Sequence, residues 1–262
     1  MGKALSTLRA KGVYVLPSMF TTAGLFAGFY ALIAAIQSHF EIAAWALIIA
    51  IVFDVLDGRV ARLLHAESKF GAEYDSLCDM VSFGIAPAVL VYMWALTPLH
   101  KPGWLAAFLI AACAALRLAR FNTEHDNDDI RFFQGLPTPA AAAMIATSVL
   151  LYEDQGAEPS SWLWFIVSVL LAYLMVSRVR FFAAKNVDLK RQRPFAFIII
   201  MIAVFVLIVA NPHLNLFLIA LAYCLSGPIL SLRQHQKLTS QRLAQRLRRK
   251  EKDPPPQDPP QD

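Results

Sequence analysis

Four aspartates stand at fixed spacing in one short stretch: Asp54, Asp57, Asp75 and Asp79. Gly58, Ala61, Arg62 and Gly71 lie among them, so residues 54–79 read D-x2-D-G-x2-A-R-x8-G-x3-D-x3-D. Apolar runs flank the segment on both sides. Carboxylates beside a membrane are costly unless a cation or another partner compensates them, which makes them functional candidates by default.

Asp54 and Asp57 are three residues apart and share one face of a helix, with Ala61 one further turn along it. Asp75 and Asp79 are four apart and share a face of the next helix, with Gly71 one turn before them. A short loop makes these helices antiparallel neighbours, so their acidic faces can converge at headgroup depth. Four close carboxylates cannot all stay ionised without compensation. All-oxygen ligation favours Mg²⁺, Mn²⁺ or Ca²⁺, and no Cys or His is placed to favour zinc. A pair of hard cations suits phosphoryl chemistry, because together they clamp a diphosphate and stabilise charge on the leaving oxygen. Gly58 and Gly71 let a phosphate or ribose approach the backbone. Arg62, one turn beyond Gly58, can neutralise a phosphate. Ordinary interfacial acids paired with Arg59, Arg62 and Lys69 would not explain eight residues in this register.

The elements that must hold this segment are apolar helices. The chain has 262 residues, 57% of them hydrophobic, and a mean hydropathy of +0.50. That is too apolar for a soluble domain of this size. The long continuous runs argue for an all-α polytopic membrane protein and against a β-barrel. About eight transmembrane helices are expected, over 16–37, 41–64, 70–96, 103–121, 138–152, 162–180, 195–210 and 214–232. The N-terminal apolar run is too long for a signal-peptide core and reads as a retained first span. Cys78, Cys113 and Cys224 form no CxxC pair and read as buried free thiols.

The loops alternate in charge. Arg59, Arg62 and Lys69 follow the second span, Arg117, Arg120 and Arg131 surround the next loop on that side, and Arg178 to Arg193 supply a third basic cluster. The opposite loops carry little positive charge. The positive-inside rule therefore predicts that both termini and the acidic segment face the cytoplasm. Trp45, Trp94, Trp104, Trp162 and Trp164 fall near the predicted outer ends, as an aromatic belt would. The net charge of +5 fits such loops and anionic lipid better than nucleic acid. Residues 233–252 read as a basic tail, a solvated or lipid-surface helix, and the Pro-rich 253–262 is expected to be disordered.

The acidic segment resembles the signature of the CDP-alcohol phosphatidyltransferases, with every fixed position filled. The resemblance implies an integral membrane enzyme with a six-helix core, here within 1–185; the apolar runs add two further helices over 186–232, and the tail occupies 233–262. It implies displacement of CMP from a CDP-linked lipid or alcohol by a hydroxyl acceptor. By position, Asp54, Asp57, Asp75 and Asp79 would bind divalent metal, Mg²⁺ or Mn²⁺ and two ions. Gly58, Ala61, Arg62 and Gly71 would line the CDP site. Asp79 would also be the general base for the acceptor hydroxyl. A homodimer in the plasma (bacterial inner) membrane, with a cytoplasmic active site, is also implied.

Two later stretches bear on the acceptor. Residues 116–122 read LRLARFN and residues 133–143 read FQGLPTPAAAA. Both resemble the phosphatidylserine synthase branch of the family, and 16–29 resembles its first helix. The resemblance implies CDP-diacylglycerol and L-serine as substrates, with phosphatidylserine and CMP as products. Arg117 and Arg120 are three apart and can face one polar site, and Asn122 adds an amide. These residues are the candidates for binding a phosphate or the serine carboxylate, against simple positive-inside flanking as the alternative. Gly135, Pro137 and Pro139 are expected to shape the entry to the fifth span.

Glycerol 3-phosphate, inositol phosphate or choline remain alternative acceptors for the same chemistry. A cation transporter would place its acids at the midplane of broken helices rather than at one face. A scaffold acting through the basic tail would not need the acidic register.

Overall fold

The computed structural model describes residues 2–64, 68–123, 132–177, 179–182, 202, 206, 209–229 and 231. The chain is almost wholly helical there. Helices α1 (Gly2–Ile36) and α2 (Phe40–Leu63) form a tight hairpin and pack extensively on each other. Helix α3 (Lys69–Asp79) runs without a break into a π-helical turn at Met80–Ile85, then α4 (Ala86–Val91), a second π turn at Tyr92–Leu96 and a 3₁₀ turn at Thr97–Leu99. Helices α5 (Lys101–Thr123), α6 (Thr138–Gln155), α7 (Ser161–Val176) and α8 (Pro212–Ile229) follow.

Among the described residues, four helical stretches are long and apolar enough to cross a membrane: Ser18–Ile36, Lys69–Leu99, Lys101–Thr123 and Pro212–Ile229. Helices α2, α6 and α7 coincide with the second, fifth and sixth expected spans; α7, at 16 residues, is a shorter apolar helix. The expected seventh span lies almost entirely outside the described residues, as do the loop around Asp126–Arg131 and the basic tail.

Side-chain size sorts these helices. The interior is alanine-rich, with Ala31, Ala35, Ala43, Ala44, Ala50, Ala86, Ala114 and Ala146 all buried, whereas Phe26, Phe29, Ile49, Val52, Phe108 and Leu116 face outward. Small residues inside and large apolar ones outside are what lipid-solvated helices need. With no hydrophobic drive between helices in lipid, close backbone approach supplies the packing.

Local signals set the boundaries. Ser68 caps α3 in an extended conformation, its Oγ accepting from the Gly71 N–H at 3.0 Å. Helix α2 opens with Glu41 in its first turn and closes with Arg62 in its last, both matched to the helix dipole. Pro139 sits in the first turn of α6, and Gly156 ends that helix in the left-handed region at φ 59°.

Two features depart from the sequence expectation. Residues Phe132–Gln134 (β1) and Arg180–Phe182 (β2) form a two-stranded antiparallel ribbon in the register Phe133↔Phe181. Such three-residue strands carry too little alternation to stand out beside long apolar helices. The tryptophans also do not all behave as a belt. Trp94 and Trp164 are buried against each other at 4.9 Å with Tyr152 packed on both, whereas Trp104 and Trp162 are exposed. Position near a helix end does not tell which way a ring points.

Candidate active site

The acidic faces of α2 and α3 meet as their spacing predicts. Carboxylate oxygens of Asp54, Asp57 and Asp75 all lie within 4.8 Å of one another. Asp57 is the most enclosed, with 7% of its surface exposed, and Thr21 of α1 donates a hydrogen bond to it. Asp79 stands at the edge of this triad, one turn beyond Asp75, with its side chain in hydrogen-bond contact with Asp54. The signature acids therefore divide: three close together, the fourth touching the group from one side.

The other signature residues take distinct places. Arg62 folds back over Gly58, so that a side chain on Gly58 would meet the guanidinium at 3.6 Å. This leaves a positive group above bare backbone beside the acids. Ala61 is half-buried on the face of α2 that carries Asp57. Gly71 lies in the first turn of α3, where a Cβ would come 3.0 Å from the capping Ser68 Oγ.

Helix α1 braces α3. Thr22 Oγ1 and the Tyr74 hydroxyl share a hydrogen bond of 2.9 Å. One turn past Asp79, Ser82 donates to the Gly24 carbonyl at 3.3 Å. A stepped helix is useful here, because the π turn at Met80–Ile85 shifts the helix face just after the last acid.

Helix α5 brings the basic side. Arg117 lies within electrostatic reach of Asp79. Its Nη1 donates to Thr138 Oγ1 at 3.3 Å, while its buried Nε has no hydrogen-bond partner among the described residues. Asn122 bonds to α3. Its Oδ1 accepts from Ser76 Oγ at 3.2 Å and its Nδ2 donates to Glu73 Oε2 at 3.4 Å. The amide thus ties α5 to α3 and is engaged by protein on both sides. Arg120 is half-buried near the same helix end, its carbonyl accepting from Thr123 Oγ1 at 3.0 Å.

The segment after β1 carries Thr138 to Arg117. Gly135 has φ 80°, a region that suits glycine, and its N–H donates to the Val179 carbonyl at 2.8 Å. The Leu136 N–H donates to the Leu174 carbonyl at 2.9 Å. Pro137 then precedes the first turn of α6. Gly135, Pro137 and Pro139 shape the entry to α6, as the sequence suggested. The partners that sequence reasoning missed are Thr21 and Thr138, both buried hydroxyls in apolar surroundings. A hydroxyl within such a run was the available signal.

The donor set suits a hard divalent cation: three carboxylates, no sulfur or imidazole, and oxygens close enough to share one ion. Their mutual repulsion in a partly enclosed site also calls for positive charge.

Comparison with known proteins gives consistent relatives. A family model described as CDP-alcohol phosphatidyltransferase matches residues 14–163. A CDP-diacylglycerol–serine O-phosphatidyltransferase of Helicobacter pylori is 38% identical over 173 residues, covering 64% of this chain and 72% of that protein. One of the same name from Mycobacterium leprae is 34% identical over 224 residues, covering 82% and 74%. Another, from Bacillus subtilis, is 32% identical over 178 residues, covering 66% of this chain and 96% of that protein.

Proposed function

This chain belongs to the CDP-alcohol phosphatidyltransferase family, and from that membership we propose that it transfers the phosphatidyl group of CDP-diacylglycerol to the hydroxyl of L-serine. The single observation that carries the reading is the convergence of Asp54, Asp57 and Asp75 within 4.8 Å, in a chain whose relatives are named for that reaction.

The residues divide the work as follows. Asp54, Asp57 and Asp75 would hold divalent metal, Mg²⁺ or Mn²⁺, with Asp79 at the edge and two ions as the working stoichiometry. Bound there, such ions supply charge neutralisation of the diphosphate and of the departing CMP oxygen. Arg62, folded over Gly58, sits where a phosphate can approach bare backbone; Ala61 and Gly71 keep the adjoining surfaces low. Asp79 accepts the proton of the serine hydroxyl as that oxygen bonds to the lipid-side phosphorus. The bond from that phosphorus to the CMP oxygen breaks, and CMP leaves. Arg117, whose Nε has no hydrogen-bond partner among the described residues and whose guanidinium lies within electrostatic reach of Asp79, binds the serine carboxylate, and Arg120 adds positive charge. Asn122 acts by holding α5 on α3.

The architecture that suits this chemistry has eight spans, a core over 1–185, both termini and the acids facing the cytoplasm of a bacterial inner membrane, and a homodimer. Loop charge asymmetry supports the orientation.

The test is CMP release by purified protein in detergent with CDP-diacylglycerol and Mn²⁺ or Mg²⁺. L-serine, glycerol 3-phosphate, inositol phosphate and choline are each added alone. Release with serine only, abolished by chelator, is the expected result. Release with another acceptor would overturn the serine assignment and keep the fold and acids. No release with any of them, from folded protein, would overturn the enzymatic reading.

A further inference from the structure

Helix α5 runs antiparallel to the stepped helix that carries Asp75 and Asp79, and two contacts fix their register. At one, a Cβ on Gly84 would come 3.3 Å from that of Ala114, so the two backbones approach closely there. At the other, Asn122 bonds to Ser76 and Glu73. Arg117 lies between these contacts on α5, as Asp79 lies between them on the facing helix. Arg117 is also three residues from Ala114, so it leaves α5 on nearly the face that meets Gly84.

The group that holds Arg117 is Thr138. This residue is fully buried, and its Oγ1 accepts from Arg117 Nη1 at 3.3 Å. A guanidinium is a planar fork with five N–H donors. Nη1 points away from the edge formed by Nε and Nη2, and that edge offers two parallel donors of the kind that match a carboxylate. The bond to Thr138 therefore limits rotation of the group without occupying the edge. On that edge, Nε has no hydrogen-bond partner among the described residues.

Thr138 is itself held from several sides. The Gly135 and Leu136 N–H groups donate to the carbonyls of Val179 and Leu174. A Cβ on Gly135 would strike the Met175 carbonyl, and Leu136 is fully buried. Pro137 and Pro139 restrict the backbone before and after Thr138. Helix α7, which supplies Leu174 and Met175, packs extensively on α5. The hydroxyl thus reaches Arg117 from a frame built against the same helix that carries Arg117. Packing alone would be served by Val, which has nearly the same shape and no hydroxyl to desolvate.

We propose that Thr138 is a positioning residue for the acceptor: its hydroxyl holds Arg117 by Nη1, so that the Nε–Nη2 edge is presented to the carboxylate of serine. The proposal rests on the reading above that Arg117 binds that carboxylate.

The test compares wild type with Thr138→Val, Thr138→Ser, Arg117→Ala and the double variant Thr138→Val with Arg117→Ala. KM for serine, KM for CDP-diacylglycerol, kcat and Tm are measured for each in detergent. Thr138→Val is expected to raise the serine KM about three- to tenfold, the scale of one net hydrogen bond, with kcat and the KM for CDP-diacylglycerol little changed. Thr138→Ser keeps the hydroxyl and is expected to bring the serine KM back toward wild type. In the Arg117→Ala background, Thr138→Val should add nothing further, because the two side chains act as one unit. An unchanged serine KM in Thr138→Val overturns the proposal, as does a serine variant as impaired as the valine one. An effect of full size in the Arg117→Ala background also overturns it and marks Thr138 as packing only. Should Thr138→Val fail to fold, Thr138→Ala takes its place in the same cycle. If Arg117→Ala leaves the serine KM unchanged, the reading of Arg117 falls and takes the proposal with it. If Arg117→Ala raises that KM while Thr138→Val does not, the proposal alone falls.

Discussion

Ser82, in the π turn that follows Asp79, sits directly against the Cα of Gly28 on α1, in space that a side chain at Gly28 would need. Its Oγ also donates to the Gly24 carbonyl one turn away at 3.3 Å. The last signature acid is therefore located by a helix crossing that works only because two small residues face a hydroxyl. Substituting Gly28→Ala forces α1 away from this turn. The expected cost is about 1–3 kcal/mol, the usual scale for overpacking, read as a lower Tm in detergent. An unchanged Tm would mean that the crossing relaxes freely.

Asp57→Asn should separate stability from activity. The substitution removes charge from the most enclosed of the three clustered acids while preserving an acceptor for Thr21. Without metal, the variant is expected to be as stable as wild type or more so, because a repulsive carboxylate has gone. Activity is expected to fall about 100-fold or more, a loss on the scale of an electrostatic stabiliser. Wild-type turnover by the variant would remove Asp57 from the metal site.

Asp79→Asn should behave differently from the other acids. Asp79 touches Asp54 but is not one of the three oxygens grouped within 4.8 Å. Loss of a general base costs about 10²–10⁴ in kcat, while the stabilisation given by Mg²⁺ or Mn²⁺ is expected to persist. If metal no longer raises Tm in this variant, Asp79 is a ligand first.

Metal itself should stabilise the folded protein. An ion that binds only the native state adds about 2.7 kcal/mol at a concentration about 100 times its Kd. Thermal unfolding with Mn²⁺, Mg²⁺ or chelator reads this directly, with no substrate present. The shift should vanish in Asp57→Asn.

Asn122→Ala tests the reassignment of that amide. Its two hydrogen bonds to Ser76 and Glu73 are exposed, so their loss should cost about 0.5–1.5 kcal/mol in all and leave the serine KM nearly unchanged. Arg117→Ala should raise that KM far more. Equal effects on KM would return Asn122 to the acceptor site.

The sequence by itself determined the helical membrane class and the acidic constellation. Both are written in local periodicity: long apolar runs require helices, and acids three and four apart must share a face. It also determined the family, through an eight-residue register that packing alone does not demand. Tertiary structure decided what periodicity cannot carry. It grouped Asp54, Asp57 and Asp75 and left Asp79 touching Asp54 at the edge of the group, because a helix face specifies a direction but not the distance to a neighbouring helix. It spent Asn122 on α3, buried Trp94 and Trp164 against each other, and brought Thr138 from beyond β1 to Arg117. It also set the Tyr223 ring of α8 6.1 Å from that of Phe181 in β2. Each of these is a long-range pairing. Its energy depends on which surfaces meet across the core, and no spacing within one helix records that.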